Sequence, residues 1–376
     1  MGSVGLLPGA GFLRVRVVVF PESTRPECYD GDGVPITVHY AYDPDGRLTH
    51  KTPRGTAGAG DNTYTYDQAG RLSSWTSGDA TTTYEWDAAG NRVKNGGTTA
   101  SYDERNRLLQ EGNTTYRYTA RGTLASATPA SGTARELTTD AFERRITDGG
   151  TSYGYDSLDR VTGRGQTEFT HDGGSNNLVG DGMHTYSRTP DGALLAMGGK
   201  GESARRALTD QHTDLVAGLF PDGSEITGST AYDPFGTVTA HEGATASLGY
   251  QSGWTDPSTK EVNMAARWYQ PNTGAFASRD TWRLQPTPSA QANRYVYGNG
   301  DPVDHTDPSG HVIPPVIGGI AIWEAVGWGT AISIGAGGGA LTYDEWSRNH
   351  TGGVTGTGSY SFAWNGCRSA RGRTPG

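Results

Sequence analysis

A short unit recurs along this chain, and a recurring unit constrains the fold before any single residue does. It consists of an aromatic residue, Asp, a two-residue link, Gly, then a basic and an apolar residue. Tyr42-Asp43-Pro44-Asp45-Gly46-Arg47-Leu48 is the fullest copy, and Tyr66-Asp67 to Leu72 and Trp86-Asp87 to Val93 repeat it. Tyr102-Asp103, Tyr118, Tyr155-Asp156 and Tyr232-Asp233-Pro234-Phe235-Gly236 begin four more, while Phe142–Ile146 and Tyr186–Leu194 read as decayed copies. Asp at the first and Gly at the fourth position suit a type I turn, since the carboxylate binds backbone amides and Gly ends the turn without steric cost. Before the turn, aromatics alternate, as in Tyr40/Tyr42, Tyr64/Tyr66, Tyr84/Trp86, Tyr116/Tyr118 and Tyr153/Tyr155. That period of two belongs to one face of a strand, and Leu or Val after the turn resumes the next strand.

Each copy is therefore a β-hairpin, and residues 36–300 are expected to be all-β, in antiparallel hairpins. The first five copies lie roughly one to two dozen residues apart and the later ones further, an irregular spacing that argues against regular propeller blades and for a spirally wound sheet. Tyr66, Trp86, Tyr102, Tyr118 and Tyr155 are expected to be buried and to stack repeat on repeat. Within 195–230 the pattern weakens, and Glu202–Leu208 has some helical character.

Gly (57) and Pro (19) form about a fifth of the 376 residues, below the level of low-complexity disorder. With 19 Tyr and 9 Trp the chain has apolar mass for a core. A net charge of −9 argues against nucleic acid as a partner. Cys28 and Cys367, near opposite ends, support neither a disulfide framework nor a zinc site. Met1–Phe20 lacks the basic and apolar regions of a signal peptide. Val312–Tyr343 is apolar enough for membrane contact, but Pro314-Pro315, Glu324 and its many glycines favour an apolar segment packed inside a shell.

The repeats resemble the YD repeats of bacterial RHS proteins, toxin-complex C components and teneurins. The stretch after Tyr232 is similar to the RHS repeat-associated core domain. Its signature is carried by Arg267-Trp268-Tyr269-Gln270-Pro271, Gly274-Ala275-Phe276, Ser278-Arg279-Asp280, Asn293-Arg294-Tyr295-Val296-Tyr297 and Asp307-Pro308-Ser309-Gly310. Gln270, Ala275 and Thr281 stand where the family pattern has Asp, Arg and Pro, and His311 replaces the usual apolar residue. The resemblance covers about 40–311 and implies a hollow shell of wound β-hairpins (34–230) closed by the core domain (231–311). Residues 1–33 are a poorly defined leading segment, and 312–376 a Gly-rich apolar stretch and variable tail.

In that family the core domain cuts the chain after the closing motif, and the C-terminal segment is a toxin carried by the shell. Carried over by motif, Asp280 and Asp307 would be the catalytic carboxylates of an aspartic-type self-cleavage, Arg279 would position one of them, and His311–Val312 would be the scissile bond. The protein is then at most an enzyme acting on itself. The alternative for Asp280 and Asp307 is the turn-forming role that Asp plays throughout the repeats. The resemblance further implies a secreted or cell-surface bacterial protein, its own C-terminal segment as cargo and an immunity protein as partner. A cell-surface glycan-binding or adhesion module is the alternative function. No metal or cofactor motif is found: Asp30-Gly31-Asp32-Gly33 lacks the distal Glu of a calcium loop, and no His spacing suits zinc.

Overall fold

The computed structural model describes residues 13–15, 36–190, 192–199, 201, 203–221, 223, 225–244, 246–282 and 292–311, with short strands at Val316–Ile317 and Ile320–Ala321. Cys28, Cys367, most of the 312–343 segment and Val312 itself lie outside the described residues. Among the described residues no helix is long and apolar enough to cross a membrane.

Sixteen strands, from Leu13–Val15 to Thr167–Glu168, form one sheet, and eight more, from Thr170–His171 to Val238–Gly243, form a second. In both, the order of strands in space is their order in the chain, so the fold is a meander of antiparallel hairpins. The turn at Asp43 shows how the sequence builds each one. Gly46 N–H donates to Asp43 O at 3.0 Å, and Asp43 N–H to Arg47 O at 2.9 Å. Gly46 has φ +83°, the left-handed region that closes such a turn with a bulge. The register consequently slips between Ala41 and Tyr42, and Tyr42 faces Leu48.

The turn carboxylate is used twice. Asp43 Oδ1 accepts the N–H groups of Asp45 and Arg47, and Oδ2 pairs with Arg47 Nε at 2.9 Å. Asp67/Arg71, Asp103/Arg107, Asp140/Arg144 and Asp156/Arg160 repeat this clamp. The clamped arginine then covers the next repeat's ring: Arg47 lies 5.3 Å from the centre of Tyr66, and Arg71 5.8 Å from that of Trp86.

In the first strand Tyr40 and Tyr42 are both buried, but in the later strands the two aromatics do different jobs. Tyr64, Tyr84, Tyr116 and Tyr153, two residues ahead of the repeat aromatic, are the fully buried ones. Tyr66, Trp86, Tyr102, Tyr118 and Tyr155, expected to be buried, are half-buried and pack on the edge of the core. The bulge re-aims the second ring toward the preceding hairpin. There its polar tip donates to a backbone carbonyl: Tyr66 to Leu48 O at 2.6 Å, Trp86 to Leu72 O at 2.8 Å and Tyr102 to Arg92 O at 3.0 Å. These bonds stitch successive hairpins together.

Two further expectations change. The helical character placed at Glu202–Leu208 gives way to a strand, Arg205–Thr209, paired on both sides with Leu194–Gly199 and Leu215–Leu219. Its backbone groups find ladder partners, which override a weak local preference. An unrecognised repeat turn follows at Asp210–Asp214, with Thr213 at φ +65° in the position that Gly46 and Gly70 hold in the first copies and Asn106, Glu143 and Asp159 in others.

The strip curls until its first hairpin meets its last strands. Gln211 N–H donates to Tyr40 Oη at 3.2 Å, Ala57 N–H to Ser229 Oγ at 2.8 Å, and Lys51 pairs with Asp210. After Gly243 the strands shorten to a four-stranded sheet between Trp254 and Phe276. Here Tyr250, Val262, Met264, Tyr269, Phe276 and Tyr297 make a separate buried cluster. That core is bonded to the shell wall at several heights: Leu124 N–H to Ala277 O, Tyr295 Oη to Gly122 O, Tyr153 Oη to Asp256 and Arg92 Nη2 to Asn272 O.

Candidate functional site

The closing motif is itself a repeat turn put to another use. In Asp307-Pro308-Ser309-Gly310-His311, Gly310 N–H donates to Asp307 O at 3.3 Å, and Asp307 Oδ1 accepts His311 N–H at 2.9 Å. Asp43 and Arg47 stand in the same relation in the first repeat. Gly310 has φ +71°, and a Cβ there would lie 2.3 Å from Met264 O and 2.9 Å from Arg267 N. Only glycine lets the chain pass so close to the strand Arg267–Gln270.

In five of the repeats the second carboxylate oxygen is taken by the arginine four residues on. In the closing turn His311 stands at that position, and Asp307 Oδ2 is taken instead by Arg267 Nη2 at 3.0 Å. The same nitrogen lies 3.2 Å from Asp280 Oδ2. Arg267 Nε donates to Gly310 O and Nη1 to Arg294 O, while its guanidinium lies 3.5 Å from the centre of the Phe276 ring. One buried arginine thus gathers both predicted carboxylates and the carbonyl that precedes His311. Burial depresses the Arg267 guanidinium, and Asp307 and Asp280 oppose that effect.

Asp280 and Asp307 are almost fully buried, at 2 % and 0 % exposure. Burial pushes the Asp307 carboxyl up, Arg267 draws it down and the neighbouring Asp280 raises it again, to about 6. Asp280 Oδ1 accepts Trp282 N–H at 2.8 Å and lies 2.7 Å from His311 Nδ1. Its Oδ2 forms no hydrogen bond.

Arg279, expected to position one of the aspartates, forms no ion pair with either among the described residues; Arg267 does. The Arg279 N–H donates to Gly122 O, whereas the next N–H, of Asp280, donates to Arg294 O. Successive residues of this extended stretch face opposite ways, so Asp280 turns toward Arg267 and Arg279 away from it. Arg279 lines a cavity of about 430 Å3 that Arg267, Thr281 and His311 also border. Sequence reasoning missed Arg267, although it opens the Arg-Trp-Tyr motif; an Arg beginning a strand otherwise fully buried was the available signal. Gln270 belongs elsewhere: its amide donates to Glu261, which Arg135 and Arg145 also hold, away from the two aspartates.

Among the described residues no group of His, Cys, Asp and Glu is placed to hold a metal. The features defined so far, a curled strip of antiparallel hairpins bonded to a compact C-terminal core, are those of a YD-repeat β-shell protein. Residues 33–303 match the family model of the teneurin YD-shell, and the chain belongs to that family. The chain is 26 % identical over 263 residues to a tRNA3(Ser)-specific nuclease WapA of Bacillus spizizenii, covering 63 % of this chain and 11 % of that protein. It is 30 % identical over 150 residues to the tRNA nuclease WapA of Bacillus subtilis, covering 34 % and 6 %. The chain therefore spans a small fraction of the curated relatives it matches. The fold is shared with the Photorhabdus luminescens Tc holotoxin pore (TM-score 0.52, 17 % identity, 76 % of this chain and 17 % of that one). It is also shared with the TcdB2-TccC3 complex (TM-score 0.51, 17 % identity, 76 % and 18 %).

Proposed function

We propose that this shell carries the segment beginning at Val312 as a toxin-type cargo and separates it by cutting the bond after His311. The single observation that carries the reading is Arg267, which joins Asp280, Asp307 and the Gly310 carbonyl immediately before the scissile residue. Asp280 acts as base and Asp307 as acid. Water adds to the His311 carbonyl carbon as its proton passes to Asp280. The C–N bond breaks as the Val312 nitrogen takes the proton from Asp307. Arg267 holds the two side chains in one place and keeps the Gly310 carbonyl fixed.

The likeness to WapA nucleases supports a secreted or surface-associated toxin, used in bacterial competition and paired with an immunity protein. The glycan-binding alternative has less in its favour, because the repeat aromatics are buried or bonded to the backbone. The test is electrophoresis and mass spectrometry of the purified chain. A C-terminal fragment beginning at Val312, absent from Asp280→Asn and Asp307→Asn, is the expected result. An intact parent over days at mildly acidic and neutral pH would sink the self-cleavage reading.

A further inference from the structure

His311 is held at both ends by the two carboxylates. Its N–H is bound by Asp307 Oδ1, and its ring nitrogen Nδ1 lies 2.7 Å from Asp280 Oδ1. The ring is also seated flat on Trp282, with centroids 4.9 Å apart and planes 5° from parallel. Trp282 is fixed in turn, since its N–H donates to the same Asp280 oxygen. This side-chain seat holds one of the residues that depart from the family pattern.

The chemistry of the contact is specific. A carboxylate oxygen only accepts, so the imidazole nitrogen facing it carries the hydrogen. With Trp282 N–H and His311 Nδ1–H both on Oδ1, that oxygen is occupied. Oδ2, which makes no hydrogen bond and has only the Arg267 guanidinium 3.2 Å away beside it, is left as the one able to take a proton from water.

We propose that His311 is a positioning residue for its own cleavage. Its Nδ1–H fixes Asp280 Oδ1, so that Oδ2 is presented to the water that attacks the His311 carbonyl. Asp280 and Trp282 together form a subsite that selects a planar side chain with a donor at the Nδ1 position. The inference rests on the reading that the bond after His311 is cut; in that step the proton from water goes to Oδ2, not Oδ1.

The test compares cleavage rates of the parent with His311→Asn, His311→Leu and His311→Phe, alongside their thermal melting. Asn places its side-chain N–H where the imidazole Nδ1–H sits and should cut within about threefold of the parent, whereas Leu, which loses the contact, should be slower by ~10-fold or more. Phe keeps a flat ring without the donor and should be as slow as Leu. If His311→Leu fails to fold, Asn against Phe decides the matter. Equal rates for Asn and Phe, or an undiminished rate in Leu, would overturn the positioning role while leaving self-cleavage standing. A parent that never cuts would overturn both.

Discussion

The Tyr66 hydroxyl lies 2.6 Å from Leu48 O and 2.8 Å from Asp304 Oδ2, its one hydrogen shared between them, and Asp304 in turn accepts Leu48 N–H. A carboxylate 238 residues further along the chain is therefore built into the joint between the first two hairpins. Asp301 packs beside it and accepts Asp304 N–H. Burial raises the Asp304 carboxyl from 3.8 to about 6.

That shift gives a pH dependence with a definite sign. The folded chain keeps a proton on Asp304 at pH values where the unfolded chain has lost it. Stability from this group is complete below about pH 4 and is lost as the pH rises through 6, by roughly 3 kcal/mol in all. Asp307, also raised to about 6, acts in the same direction. Denaturant midpoints measured from pH 4 to 7 should fall more steeply in the parent than in Asp304→Asn. Parallel curves would show that Asp304 does not titrate in this window.

Arg267→Lys should slow cleavage by ~10-fold or more, because an ammonium cannot bridge two carboxylates and two carbonyls with one planar fork. Arg279→Lys should cut at the parental rate. Band densities over a time course distinguish the two, and a slowed Arg279→Lys would return that residue to the site.

Gly310→Ala should abolish cleavage and lower the melting temperature, since its Cβ would lie 2.3 Å from Met264 O. The strand and the closing turn would have to separate, which displaces Arg267 from Gly310 O. Full activity in this variant would mean that the close approach is dispensable.

Thr213→Gly should stabilise the chain by about 1 kcal/mol, because a β-branched residue is strained at φ +65° and Gly is not. Only the Thr213 backbone carbonyl holds Ser252 Oγ, so that bond survives the substitution. Calorimetry showing an unchanged or lower melting temperature would count against strain at this turn.

Tyr64→Ala should cost about 3–5 kcal/mol as a large core truncation. Tyr66→Phe keeps the ring and loses the bonds to Leu48 and Asp304, at a cost of about 1–3 kcal/mol. The reverse order of melting temperatures would contradict the division of labour between the two rings.

Much of the architecture was legible because turn chemistry is local. Asp43, Gly46 and the alternating tyrosines dictate a hairpin without help from the rest of the chain. The burial of Tyr64 in place of Tyr66 was not legible, since it depends on a bulge that a period-two pattern does not contain. The strand at Arg205–Thr209 was hidden for a related reason: no aromatic precedes Asp210, so its turn lacks the mark that begins the other copies. At the candidate site, motif order named the two aspartates that Arg267 joins. The choice between Arg267 and Arg279 depended on which way the chain faces at Asp280, and only the paired backbone bonds to Gly122 and Arg294 decide that.

The strictly sequential order of strands has a consequence for how the molecule comes together. Each hairpin rests on the one made just before it, so nearly all of the ladder can be laid down from contacts close in sequence, without costly loop closure. Ring closure is different: it is carried by a handful of bonds such as Ala57 to Ser229, Tyr295 to Gly122 and Tyr66 to Asp304, which join residues 172, 173 and 238 positions apart. Such a chain is an open ribbon until the residues from Asp210 onward arrive, and those few bonds act as its clasp.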